Sequence, residues 1–197
     1  MLFDILTKAE NKKEMLSLLM VGVQKSSNDR MVKKTLTGKF AGLELYIYFA
    51  INEKLNMIVS EDVFAEMEIN IEDAWKIAFE NLHKSVTITS VTNALKECGM
   101  LDDSCEDDLG MYVVSTERME KGAAAVFDRK VKEFIKEKGY KKVAILPSSI
   151  HEMLLLPIDN SFDENELSMM VKTINSTEVE PSDQLIDKAI IISSDEL

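Results

Sequence analysis

Residues 43–51 read LELYIYFAI, and Leu43, Leu45, Ile47, Phe49 and Ile51 fall on one face of an extended chain. Successive side chains of a strand alternate between faces, so this period of two predicts a half-buried β-strand. No other stretch of the sequence signals a strand as clearly.

Upstream, Leu2, Ile5, Leu6, Ala9, Leu16, Leu19, Met20 and Val23 recur at mostly helical spacing. They predict a helix from Leu2 to about Val23, broken by SSND at 26–29. Downstream come an NEKLN turn and a short MIVS stretch, after which Ser60 is placed to cap a brief helix through Glu66. Ile71, Ala74, Trp75, Ala78, Phe79 and Leu82 then line one stripe of a second helix. Trp75, the only tryptophan, lies on that stripe and is expected in the core. VTIT at 86–89 reads as a short strand, and SVTNALKEC after it as a short helix ended by Gly99. Residues 102–108, DDSCEDD, lack the alternating acids, glycine and distal glutamate of a calcium loop and read as a solvated loop.

The second half is more regular. MYVVST at 111–116 predicts a strand, and Met119 to Lys138 a long helix with Ala124, Phe127, Val131, Phe134 and Ile135 inward and Gly139 at its end. VAIL at 143–146 and MLLL at 153–156, closed by Pro147 and Pro157, are continuous apolar runs typical of strands buried on both faces. Asp163 and Glu166 form a capping-box-like pair for a helix through about Ile174, with Asn175 at its end. AIIIS at 189–193 predicts a last strand. This order predicts an α+β fold: a mostly antiparallel sheet packed with helices, with an N-terminal helical portion. A chain of 197 residues fits a single α+β domain over 1–197, and sub-lobes over 1–105 and 106–197 are compatible with it.

The chain carries 23 basic and 35 acidic residues, a net charge of −12. Such a chain repels phosphate backbones at long range, so direct nucleic-acid binding is not expected, whereas a protein partner is. Neither a signal-peptide pattern nor a membrane-length apolar run is present, and the expected location is the cytoplasm. Cys98 and Cys105 are not spaced as a metal or redox motif and read as free thiols. The twelve methionines are scattered, which suits gap-filling in the core.

Seven glycines form no phosphate-binding loop, and no zinc-protease motif, nucleophile elbow or Cys/His ligand set occurs. No cofactor or metal is therefore called for. One local constellation remains: LPSSIHEMLLLP at 146–157, where Ser148, Ser149, His151 and Glu152 sit between two buried strands. A nucleophilic serine needs a base within hydrogen-bond reach and an orienting acid, an alignment that neighbours two apart on one strand rarely achieve. The preferred reading is structural: the hydroxyls satisfy turn amides, while His151 and Glu152 bond to a nearby helix end or loop. His83, near the end of the tryptophan helix, is expected to interact with free carbonyls there.

GAAAVF at 122–127, LPSSIHEMLLLP at 146–157 and MVKTINSTEVEPSDQLID at 170–187 together resemble an uncharacterised bacterial family of unknown function. That family is frequent in anaerobic Gram-positive bacteria and their mobile elements. The resemblance is clearest from Met111 onward and looser in VKKTLTGKFAGLEL and the helices at 60–82. It implies a bacterial origin and singles out Ser149, His151, Glu152 and Asn175 as a shared polar cluster, without implying an activity. Three functional readings follow. The first is a non-enzymatic interaction or regulatory protein carried by a mobile element. The second is an enzyme or small-ligand binder using Ser149, His151 and Glu152. The third is an acidic mimic of nucleic acid that inhibits a DNA-binding defence protein.

Overall fold

The computed structural model describes residues 9–52, 55–102, 109–159, 161–194 and 196. Its elements run α1 (Ala9–Ser17), β1 (Leu19–Lys25), β2 (Lys33–Thr35), β3 (Leu43–Asn52), β4 (Leu55–Ile58), α2 (Glu61–Glu66) and α3 (Ile71–Ser85). After these come β5 (Val86–Ser90), α4 (Val91–Glu97), β6 (Tyr112–Thr116), α5 (Arg129–Glu137), β7 (Lys142–Leu146), β8 (Met153–Pro157), α6 (Glu164–Glu178) and β9 (Ile190–Ser193). Short 3-10 turns cover Gly38–Phe40 and Gly122–Phe127.

The strands build two antiparallel sheets rather than one. In the first, β3 is central, with β1 along one edge and β2 and β4 sharing the other. The second has the order β5-β6-β8-β7-β9. β3 is buried on both faces from Leu43 through Ala50, more deeply than its alternation predicts, because its second face also meets packed structure.

The N-terminal helical portion is not observed. The expected helix through Val23 stops at Ser17, and Leu19–Lys25 is strand β1, paired with β3 from Leu19 opposite Phe49 to Lys25 opposite Leu43. The apolar residues of LMVGV satisfy helical and extended spacing alike; β-branched Val21 and Val23 and the partner strand decide for the sheet. Residues 2–8 of that expected helix lie outside the described residues, as do 103–108 of the acidic run.

The long helix expected from Met119 to Lys138 is also divided. Met119 and Lys121 have positive φ, which no helix accommodates. The following turn buries Ala123, Ala124 and Ala125 completely, and Asp128 starts α5 afresh by accepting from Lys130 N–H at 2.9 Å. Gly139 does end α5: its N–H bonds Lys136 O at 3.0 Å and Tyr140 N–H bonds Ile135 O at 3.1 Å. Gly99 closes α4 in the same way, through Lys96 O at 2.9 Å and Met100 N–H to Leu95 O at 2.8 Å. Ser60 occupies the N-cap of α2 without a side-chain cap bond.

One apolar cluster joins both sheets, from Val21, Ile47 and Phe49 to Val114, Ile145, Leu155 and Ile192. Trp75 packs in it as expected, with Lys34 Nζ 4.8 Å from its ring centroid. Burying each large side chain of this kind contributes about 1.5–3 kcal/mol. A smaller cluster lies on the other face of the second sheet, where Ala144 and Leu146 meet Leu167 and Val171 of α6. That cover is partial. β7 is buried on both faces from Val143 to Leu146, but in β8 Leu154 and Leu156 are only half-buried, so β8 is not the doubly buried strand expected.

Candidate functional site

Pro147 ends β7, and residues 148–152 turn the chain back into β8. Ser149 N–H donates to Glu152 O at 3.2 Å, closing the turn. Ser149 Oγ accepts from His151 N–H at 3.0 Å and donates to Glu152 Oε1 at 3.2 Å; Ser148 Oγ reaches the same carboxylate oxygen at 3.4 Å. Both hydroxyls are thus engaged within the turn, and Ser149 is buried.

His151 turns away from Ser149. Lys121 N–H donates to its Nδ1 at 3.2 Å, so that nitrogen carries no proton and Nε2–H donates to Asp183 Oδ2 at 3.3 Å. Both ring nitrogens are thus engaged by Lys121 and Asp183, and the hydroxyl of Ser149 by Glu152 and the His151 amide, so these side chains clamp the turn to its neighbours. The backbone continues the pattern. Ile150 O accepts from Ala123 N–H at 3.2 Å, Ile150 N–H donates to Asp183 O at 2.8 Å, and His151 O accepts from Ser115 Oγ at 2.8 Å. Gly122 is required by this approach: a Cβ there would lie 2.7 Å from Thr116 N and 2.8 Å from His151 O. Residues 121–123, 149–152 and 183 therefore meet in one knot.

Asn175 does not join the turn's hydrogen bonds. It lies inside α6, not at its end, because the helix runs on to Glu178 with Ser176 and Thr177 hydroxyls bonding back to Thr173 O. Its Nδ2 donates to Asp187 Oδ1 at 3.0 Å, and its carbonyl accepts from Gln184 Nε2 at 2.7 Å. Its Oδ1 is buried and accepts no hydrogen bond from the described residues. Asn175 and Ser148 are the polar members of a small apolar cleft of about 20 Å³, walled by Leu146 and Leu154 from the sheet and Met170 and Ile174 from α6. That cleft brings two of the sequence-selected residues together where hydrogen bonding does not.

The sequence reading missed the partners: Ser115, Lys121, Gly122 and Asp183. Gly122 opens GAAAVF and Asp183 sits in EPSDQLID, two stretches that carry the family resemblance but no local signal of where they meet. His83 does not serve free carbonyls. Its Nδ1 lies 2.9 Å from Asp128 Oδ1, and its Nε2 lies 2.9 Å from Arg129 Nη2. The start of α5 supplies a carboxylate and a guanidinium that sequence distance concealed. Cys98 is exposed with a free thiol, and Cys105 lies outside the described residues. The methionines do not all fill gaps: Met15, Met20, Met67 and Met153 are buried, while Met100, Met119, Met169 and Met170 are exposed.

The knot ties together the segments GAAAVF, LPSSIHE and EPSDQLID, and a model described as "Family of unknown function (DUF5688)" matches residues 2–191. The chain belongs to this family. The match to DUF5688 covers nearly the whole chain, beyond the C-terminal half where the resemblance is clearest. No curated protein and no solved structure matches the chain. Among the described residues no group of three or more His, Cys, Asp or Glu is placed to hold a metal ion, and no helix is long and apolar enough to cross a membrane.

Proposed function

We propose that this DUF5688 chain is a non-enzymatic intracellular interaction protein, and that it docks a basic amphipathic segment of a partner protein on α6 and the adjoining face of the second sheet. The observation that carries the reading is the apolar surface left on α6. Met169, Met170 and Ile174 are 70%, 48% and 41% exposed, beside half-buried Leu154 and Leu156 of β8. Methionine suits such a surface because its unbranched side chain adapts to varied apolar shapes.

Charge supports a cationic partner. Exposed Asp163, Glu164, Glu166, Glu178 and Glu180 surround the strip, against Lys172 on the helix and Lys188, which is drawn 3.8 Å from Glu164. Charge of one sign around an apolar strip favours an amphipathic helix of the other sign. The nucleic-acid mimic has less support, since Lys33, Lys34 and Lys39 each sit against a carboxylate and interrupt an acidic face. The serine-histidine enzyme has less still, because His151 presents no free ring nitrogen to Ser149.

The test is fluorescence anisotropy with a labelled cationic amphipathic peptide of about 18 residues, long enough for roughly five helical turns. An acidic peptide with the same apolar spacing is the control. Saturable binding of the cationic peptide, weakened about tenfold or more (~1.4 kcal/mol) in Met170→Glu and Ile174→Glu proteins of unchanged thermal stability, supports the reading. Equal binding of both peptides, or binding indifferent to those substitutions, rejects it.

A further inference from the structure

A second surface, unconnected with α6, is lined by α3 and the start of α5. Lys76, Phe79, His83 and Lys84 of α3 border an open groove of about 620 Å³, with Phe127 and Arg129 on its other side. Phe79 stacks on Trp75 with ring centroids 5.9 Å apart, and Phe127 meets half-buried Phe40 edge to face at 4.9 Å, so both rings are braced by a neighbouring aromatic.

The polar groups are ordered by one chain of contacts. A guanidinium has donors only, so Arg129 Nη2 donates to His83 Nε2, and His83 Nδ1–H donates to Asp128. Asp128 is fixed in turn by Lys130 N–H at 2.9 Å. The histidine thus holds one corner of the guanidinium and leaves its other donors to the groove. Among the described residues no carboxylate lies within ion-pair distance of Arg129, Lys76 or Lys84. In a chain with 35 acids against 23 bases, unpaired cations gathered around aromatic side chains single this groove out.

The geometry points to a binding site for a small phosphorylated aromatic compound, an aryl or nucleoside monophosphate. Arg129 and Lys84, on either side of His83, receive the phosphate, the ring lies against Phe79 and Phe127, and Lys76 stands about two helical turns away at the other end of the groove. Guanidinium and ammonium donors match phosphate oxygens, and aromatic faces take a flat ring with little loss of side-chain freedom. Glu80 faces the same groove between the two lysines along α3, opposing a dense polyanion and so favouring a monophosphate over a triphosphate. His83 is a positioning residue: it acts through Arg129.

Isothermal titration of the whole chain with 1-naphthyl phosphate and adenosine monophosphate tests the site, with inorganic phosphate, adenosine triphosphate and 1-naphthol for comparison. At least one of the two monophosphates binds with Kd below about 1 mM, more tightly than every comparison compound. Arg129→Met weakens it tenfold or more at unchanged melting temperature, and Arg129→Lys recovers part of the loss. His83→Gln, which keeps an acceptor for Arg129, retains more affinity than His83→Asn, which keeps only the donor toward Asp128. No saturable binding of either monophosphate up to about 10 mM, inorganic phosphate binding as tightly, or an Arg129→Met protein that binds like the parent overturns the proposal.

Discussion

The phenol ring of Tyr46 lies over the backbone of Gly22, its partner across β1 and β3: a Cβ at Gly22 would be 2.4 Å from Tyr46 Cζ. Tyr46 is itself buried, so its ring can give way only by displacing its neighbours. Gly22→Ala is therefore expected to destabilise the chain by about 1–3 kcal/mol through overpacking, read as a lower urea midpoint with the denaturant slope unchanged. Tyr46→Phe should leave the midpoint of the Gly22 parent nearly intact, since the ring is what fills the space.

Gly122→Ala should be worse. Its Cβ would meet backbone, Thr116 N and His151 O, which cannot rotate aside as a ring can. The expected outcome is loss of more than about 3 kcal/mol, seen as a urea midpoint lowered well below that of Gly22→Ala. A variant that melts like the parent would show that residues 149–151 are not held as described.

Glu44 is buried in the first sheet with Gln24, Ser27 and Lys33 around it; Gln24 Nε2 donates at 2.9 Å and Ser27 Oγ at 3.0 Å. Burial alone raises its pKa, but the bonds from Gln24, Lys33 and Ser27 outweigh that, and the net shift is downward. A carboxyl depressed in the folded chain stabilises it above the ordinary glutamate range, and that contribution is lost as pH falls through the depressed value. Glu44→Gln should cost about 1–3 kcal/mol at neutral pH and flatten the acid limb of a stability-pH curve. An unchanged acid limb would mean the carboxylate is not held as an anion.

At the alkaline end the sign reverses. Burial pushes the phenol of Tyr46 well above its ordinary range and that of Tyr48 up to about 12. The unfolded chain ionises these groups near pH ~10 while the folded chain does not, so stability should fall as pH rises beyond that point. Absorbance at 295 nm should then show part of the tyrosine signal appearing only together with unfolding. A smooth titration of all four tyrosines in a still-folded chain would contradict it.

The apolar cluster that joins both sheets leads us to expect one cooperative transition, with tryptophan fluorescence and far-ultraviolet circular dichroism giving the same midpoint. Trp75 reports on the packing of α3, while circular dichroism averages both sheets. Separate midpoints would instead favour independent sub-lobes.

What the sequence disclosed depended on how local the decisive physics was. β3, β7, α3, the glycine ends of α4 and α5 and the buried Trp75 were legible because alternation, stripes and caps act within a few residues. β1 has the apolar spacing of a helix, and its extended form depends on a partner strand some twenty residues away. β2 is three residues long and largely polar, with no pattern to read. At the knot, Ser148, Ser149, His151 and Glu152 were recognised as a polar turn, but Lys121 and Asp183 reach it from about thirty residues on either side. His83 and Asp128 were hidden from each other for the same reason.

α3 ends at Ser85 and β5 begins at Val86, with no residue between them. The helix that packs on the first sheet is thus continuous with an edge strand of the second. Such a joint has no slack. One extra residue on the helical side would rotate α3 by about 100° about its axis; on the extended side it would exchange the faces of β5. The natural variation of this chain should accordingly admit insertions almost anywhere on its surface before it admits one at that seam.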